Sequence, residues 1–186
     1  MYAIAVQELG DAREVVDLGS GMGLMEALLA GRSPSTRIRG LEWDERKSAV
    51  ARRLAAGLPN VVLETGDARD APLGTPDAIL LVDVLHYFPP DEQARWLGRC
   101  AGALAPGGLL FIRDLDASGR GRGAAALIER FAVAFGWNRA ARVHPWAVGE
   151  MAAHLEGLGL GTAVRALGRG PFAGNALLLA RKPPLA

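Results

Sequence analysis

Val15-Val16-Asp17-Leu18-Gly19-Ser20-Gly21-Met22-Gly23 is the stretch on which the reading of this chain turns. An apolar run of strand length passes straight into glycines at alternate positions, after which a helix opens. Glycine accepts positive φ and lets a ligand approach the backbone, while a helix start offers N–H groups with no intrahelical partner. Glu42 ends the next apolar run 19 residues beyond Gly23. In a doubly wound sheet this sets a carboxylate beside the glycine loop, within reach of the two hydroxyls of a ribose.

Working outward, short apolar runs alternate with amphipathic stretches, the pattern of a parallel sheet with helical crossovers. Strands are predicted at Glu14–Leu18, Arg37–Glu42, Asn60–Glu64, Ala78–Val82 and Leu109–Asp114. Two more, Thr162–Leu167 and Asn175–Ala180, are joined by a stretch too short for a crossover helix and must run antiparallel. Asp44 is placed to cap a helix over Glu45–Ala56, which Gly57 and Pro59 end. Asp91 is expected to cap the next, whose Ala94, Leu97, Ala101 and Leu104 share a face. Val148, Met151, Ala152, Leu155 and Leu158 mark another. All 186 residues read as a single domain, in which 116–145 breaks the alternation and is a candidate lid or acceptor-site insertion. That insertion carries a predicted helix with Leu127, Ile128, Phe131 and Phe135 on one side.

Composition narrows the function classes. The formal charge is +1 with no basic run, which disfavours a nucleic-acid partner. The single cysteine, Cys100, rules out an intrachain disulfide and reads as a buried core thiol. The N-terminus has neither the basic start nor the apolar length of a signal peptide, and no apolar run nears the ~20 residues of a membrane span. The expectation is a cytoplasmic protein. The three histidines are scattered without ligand spacing, so no metal is predicted.

With these motifs in place the chain resembles the class I S-adenosylmethionine-dependent methyltransferases from Glu14 to Lys182. Asp17-Leu18-Gly19-Ser20-Gly21-Met22-Gly23 is similar to the family's first motif and Leu41-Glu42-Trp43-Asp44 to its ribose-binding strand end. Gly66-Asp67-Ala68 resembles the loop that holds the adenine edge, and Asp83-Val84-Leu85-His86-Tyr87 lies within the motif that follows strand four. The resemblance implies a Rossmann-like three-layer α/β sandwich with a mostly parallel seven-stranded sheet whose last strand is antiparallel. It also implies S-adenosylmethionine as co-substrate. Its binding residues would be Asp17, Gly19, Ser20, Gly21, Gly23, Glu42, Trp43, Gly66, Asp67, Ala68, Asp83 and Val84. Glu42 would accept the ribose hydroxyls, Asp67 the adenine amino group, and Trp43 would pack on the ring.

Neighbouring functions fit less well. A nicotinamide reductase uses the same fold, but its G-x-G-x-x-G loop needs a small residue where Leu24 stands, and Tyr87 is followed four residues on by Asp91 rather than lysine. Asp83-Val84-Leu85-His86-Tyr87-Phe88-Pro89-Pro90 lacks the Asn/Asp-Pro-Pro-aromatic motif common in enzymes that methylate base nitrogens, which leaves a small-molecule acceptor. A donor-binding protein of this fold with little catalysis, working with a partner, is the other reading. His86, just past the carboxyl end of the fourth strand, is the candidate general base, and an imidazole titrating near ~6.5 suits that task. Asp114, Arg113, His144 and Arg142 are further candidates to face the acceptor, with Phe131, Phe135 and Trp146 as apolar lining. Only about a dozen residues precede Glu14; either the co-substrate is more exposed than is usual, or a second subunit of a homodimer closes the site.

Overall fold

A computed structural model describes residues 1–118, 143–167 and 174–185. Seven strands among them form one sheet: β1 (Glu14–Leu18), β2 (Arg37–Glu42), β3 (Val61–Thr65), β4 (Ala78–Val82), β5 (Leu109–Leu115), β6 (Gly161–Ala166) and β7 (Asn175–Arg181). Their order is β3-β2-β1-β4-β5-β7-β6. β1 to β5 pair in parallel, whereas β7 runs antiparallel to both β5 and β6. The expected fold is the observed one. Three strands have the predicted bounds, β5 and β7 run one residue longer, and β3 and β6 are displaced by one residue at both ends.

Continuous apolar strands identify a sheet covered on both faces. Successive side chains alternate between two cores. On one face Val16, Leu18, Ile79, Leu81, Leu110 and Ile112 meet Leu97, Leu104 and Leu155. On the other Val15, Leu80, Leu109 and Phe111 meet Ala5, Leu9, Met25 and Leu29. The first core lies under α4 (Pro90–Ala103) and α5 (Val148–Gly157). The second lies under α1 (Tyr2–Leu9) and α2 (Leu24–Arg32). Helix α3 (Glu45–Leu54) packs over β2 and β3 beside α2.

Helix ends follow local chemistry, with two corrections. The Asp44 carboxylate accepts from the backbone N–H groups of Arg46 (2.9 Å) and Lys47 (3.4 Å), a true N-cap, although α3 ends at Leu54 rather than Ala56. Asp91 is not a cap. α4 begins at Pro90, whose fixed φ and missing N–H suit the first helical position, so Asp91 and Glu92 fall in the first turn and face the positive helix end. α1 was not foreseen, because two turns with Ala5 and Leu9 as their buried residues carry little periodicity.

Phe111 sits fully buried in β5, between Leu80 of β4 and Leu179 of β7. Phe111→Ala should cost about 3–5 kcal/mol of unfolding free energy in urea denaturation, through lost transfer energy and the cavity left behind. A loss below ~1 kcal/mol would mean that this core is not close-packed.

Candidate functional site

β1 and β4 lie side by side although they are not consecutive, so the direction of winding reverses between them and a crevice opens at their carboxyl ends. The glycine loop enters that crevice. The N–H groups of Gly19 and Ser20 both donate to the Leu41 carbonyl at 2.9 Å, which fastens the loop to the end of β2. Gly19 has φ +102°, and a Cβ there would press to 2.9 Å from the Val84 side chain beyond β4. No other residue type satisfies both conditions.

Glu42 completes the attachment. Its carboxylate accepts from the N–H of Gly21 at 2.9 Å and from that of Asp44 at 2.8 Å, with only 5 % of the residue exposed. Each oxygen keeps a further lone-pair direction for another donor, and the two backbone bonds fix its orientation beforehand. Gly21 lies partly exposed on the loop, whereas Gly23 is buried against Ala51 and Leu63.

A cavity of about 740 Å³, open to solvent, lies beside this loop. It gathers six of the residues predicted from sequence: Gly19, Trp43, Gly66, Asp67, Ala68 and Val84. Trp43 is 56 % exposed, unusual for an indole unless something covers it. Leu41, Arg69, Tyr87, Phe88 and Trp96 line the same cavity and were not predicted. Arg69 grips Asp67: Nε donates to both carboxylate oxygens at 2.9 Å, Nη1 donates to Glu92 at 3.1 Å, and the guanidinium stands 5.6 Å from the Phe88 ring centre. These bonds hold the Asp67 carboxyl below its usual range and so keep it an ionised acceptor.

Asp83 and His86 stand at the end of β4. Asp83 has φ +53°, a conformation that a non-glycine residue adopts under local constraint. Its N–H donates to the Arg113 carbonyl (2.8 Å), and its carboxylate pairs with the Arg113 guanidinium. Leu85–Tyr87 then form a 3₁₀ turn. Asp114 organises that turn: Oδ2 accepts from the N–H groups of Leu85 (2.8 Å) and His86 (3.3 Å), and Oδ1 pairs with His86 Nδ1. His86 is 2 % exposed. The N–H of His144 donates to the His86 carbonyl at 2.6 Å, so His144 meets this turn through its backbone. The Trp146 ring lies tilted against that of His154, 5.4 Å between ring centres, and belongs to the core on the α5 side. Arg142, Phe131, Phe135 and the helix expected at Leu127–Phe135 lie outside the described residues.

Asp17 faces α2 beneath the loop, where it meets a residue the sequence did not flag, Glu26. Both are buried, and burial pushes the Asp17 carboxyl well above its usual range and that of Glu26 up to about 7. Among the described residues no group of three or more His, Cys, Asp or Glu is placed to hold a metal, and no helix is long and apolar enough to cross a membrane. Burial pushes the Cys100 thiol up to about 12, which fits a core residue and not a nucleophile.

Residues 15–108, half of the chain, match a family model described as a methyltransferase domain. The chain is 39 % identical over 110 residues to a trans-aconitate 2-methyltransferase of Variovorax paradoxus, covering 58 % of this chain and 40 % of that protein. It is 32 % identical over 126 residues to a 4-amino-L-phenylalanine/4-methylamino-L-phenylalanine methyltransferase of Streptomyces pristinaespiralis, covering 53 % and 42 %. It thus spans about 40 % of the length of the curated relatives it matches. In fold it is similar to an O-methyltransferase family protein from Burkholderia thailandensis, with TM-score 0.73 at 24 % identity over 99 % of this chain and 57 % of the other. It is also similar to the magnesium protoporphyrin IX methyltransferase of Synechocystis PCC 6803, solved with bound S-adenosylhomocysteine, with TM-score 0.74 at 19 % identity over 97 % and 80 %.

If the Glu42 carboxylate takes ribose hydroxyls while holding the loop, Glu42→Ala should weaken S-adenosylmethionine binding at least about tenfold, or ~1.4 kcal/mol. Calorimetric affinity within twofold of the parent would refute that role.

Proposed function

The chain belongs to the methyltransferase-domain family, and from that membership we propose that it transfers a methyl group from S-adenosylmethionine to a small-molecule acceptor by in-line displacement. The observation that carries this reading is the Glu42 carboxylate, set by two backbone bonds and flanked in sequence by Leu41 and Trp43, which line a cavity large enough for a nucleoside. The residues present suit the donor. Glu42 offers a carboxyl acceptor to sugar hydroxyls and Asp67, kept ionised by Arg69, one to an exocyclic amine, while Leu41, Trp43 and Phe88 offer apolar walls to a base. Gly21, with open space where a Cβ would stand, leaves the loop backbone open to the amino-acid end.

When bound, S-adenosylmethionine supplies a methyl group on a positively charged sulfur, an electrophile that needs no further activation. What remains for the chain is to position the acceptor and to exclude water. For an acceptor that must lose a proton, His86 is the proposed base. Asp114 engages Nδ1 and so fixes the ring and its tautomer, leaving Nε2 as the atom that would take the proton. The turn bonds from Asp114 to Leu85 and His86 hold the imidazole in place. The two relatives named above are called methyltransferases of trans-aconitate and of an amino-phenylalanine. Both compounds are small organic acids, which supports an acceptor of that size and kind here.

The test is formation of S-adenosylhomocysteine from S-adenosylmethionine across a panel of small carboxylic acids, phenols and amines. Turnover on any of them is the expected result. Thermal stabilisation by donor and product without turnover on any acceptor would favour a binding protein of this fold instead. With a productive acceptor in hand, His86→Gln should lower turnover at least ~100-fold while changing donor affinity less than about threefold. Loss of donor binding together with turnover would show that His86 supports the fold of the site and is not its base.

A further inference from the structure

Asp17 and Glu26 lie within hydrogen-bonding reach of each other, and both are almost wholly enclosed, 1 % and 0 % exposed. Oδ1 of Asp17 and both carboxyl oxygens of Glu26 find no N–H or O–H donor among the described residues. Two carboxylates without donors cannot both stay ionised side by side in a medium of low dielectric. A proton held between them satisfies the pair. The space is built for it: at Gly40 of β2 a Cβ would collide with Oε1 of Glu26 and with the Leu63 and Ser20 side chains.

The charged surroundings of the pair are also acidic. β1 contributes Asp17, α2 contributes Glu26, and β2 contributes Glu42, whose charge opposes ionisation of both. The other elements packed on this corner present apolar groups: Leu63 from β3, Ala51 from α3 and Val84 beyond β4. Neither carboxyl has a Lys, Arg or His partner among the described residues. The corner therefore stores negative charge that only a proton or an arriving cation can offset. It lies directly beneath the glycine loop, whose Gly19 lines the cavity.

Resting on the methyl-transfer reading, we infer that Glu26, through the proton it shares with Asp17, is a specificity-determining residue. It favours the sulfonium-bearing donor over the neutral-thioether product and couples donor binding to proton release. The two ligands differ by one positive charge and one methyl group. An added cation near the pair stabilises its ionised form, so the proton leaves; the thioether draws it out less. The sign follows from the raised carboxyls. A proton competes with the cation, so donor affinity rises with pH through about 7, to which burial raises the Glu26 carboxyl, while product affinity rises less. Both acids titrate higher in the folded chain than in the unfolded one. Their contribution to stability is thus full below the ordinary carboxylate range and is lost as pH climbs towards 7. The ligand-free chain should loosen over the same interval in which it gains preference for the donor.

Calorimetry on the full chain tests this. At pH 7 the heat of S-adenosylmethionine binding should differ between phosphate and Tris by the heat of releasing a fraction of a proton, and S-adenosylhomocysteine should release less. Between pH 6 and pH 8 the donor-to-product affinity ratio should rise severalfold, up to the roughly tenfold limit for one linked proton. In Glu26→Gln, which preserves shape, the ratio should be flat; Asp17→Asn is the matching variant. Heats independent of buffer in the parent chain, which need no variant, would overturn the inference, as would an unchanged pH dependence in Glu26→Gln. If donor and product bind at every pH with a constant ratio, only this inference falls. If neither binds at any pH, the methyl-transfer reading falls with it.

Discussion

The corner of the molecule depends on one carboxylate that holds two backbone segments together. Glu42 accepts from Gly21 on the loop after β1 and from Asp44 at the head of α3. Asp44 in turn caps α3. The end of β2, through the Glu42 side chain and the Leu41 carbonyl, thus fixes where the glycine loop sits and where the next helix begins. The loop could not be held this way if β2 ended one residue earlier, because alternation would turn the carboxylate to the opposite face. The register of β1 against β2, with Leu18 opposite Leu41, therefore sets the geometry of the candidate site.

The same corner carries an electrostatic cost built into the fold, one that the proposed cationic donor would offset. Three carboxylates, from Asp17, Glu26 and Glu42, approach one another in a place where burial penalises charge. A fold selected for stability alone would replace the buried pair with apolar residues of similar volume, since buried ionisable groups are weak contributors to stability. On the far side of the cavity the arrangement is reversed. There Asp67 has its guanidinium partner and stays ionised near solvent. One rim acid is neutralised by the chain itself, while the acids beneath the loop are left for a proton or a cation.

The fold was largely legible because a parallel sheet covered on both faces writes itself as short continuous apolar runs, and Ala78–Leu81 and Leu109–Ile112 are buried on both sides. The glycine loop and Glu42 were legible because their spacing is set by one strand–helix–strand unit, a local matter. Less could be read where the cause is tertiary. Helix α1 earns its place through two buried residues, and its sequence signal is correspondingly thin. Asp91 has the chemistry of a cap, yet Pro90 takes the first helical position and displaces it. Arg69 lay in plain view two residues past Asp67, and an arginine that close to a turn acid is the signal that could have found it. Glu26 offered none, for it sits among apolar neighbours on α2, and only the glycine opposite, Gly40, hints that room was kept for its carboxyl.

His86 and Asp114 illustrate the same boundary from the other side. Position alone picked out His86, because in open α/β sheets the carboxyl ends of the strands face the ligand crevice. Its partner comes from β5, 28 residues on, and no local pattern links the two. They meet because β4 and β5 pair in parallel with Val82 opposite Arg113, so the residue after Arg113 points into the turn after β4. Pleat then divides the labour. Arg113 points to the face of α1 and α2 and reaches Asp83, while Asp114 points to the face of α4 and α5 and reaches His86. One strand end thereby anchors both the constrained backbone of Asp83 and the imbedded imidazole. A shift of one residue in the β4–β5 register would exchange the two contacts and undo both, so the chemistry proposed for His86 is in the end a consequence of how two buried strands align.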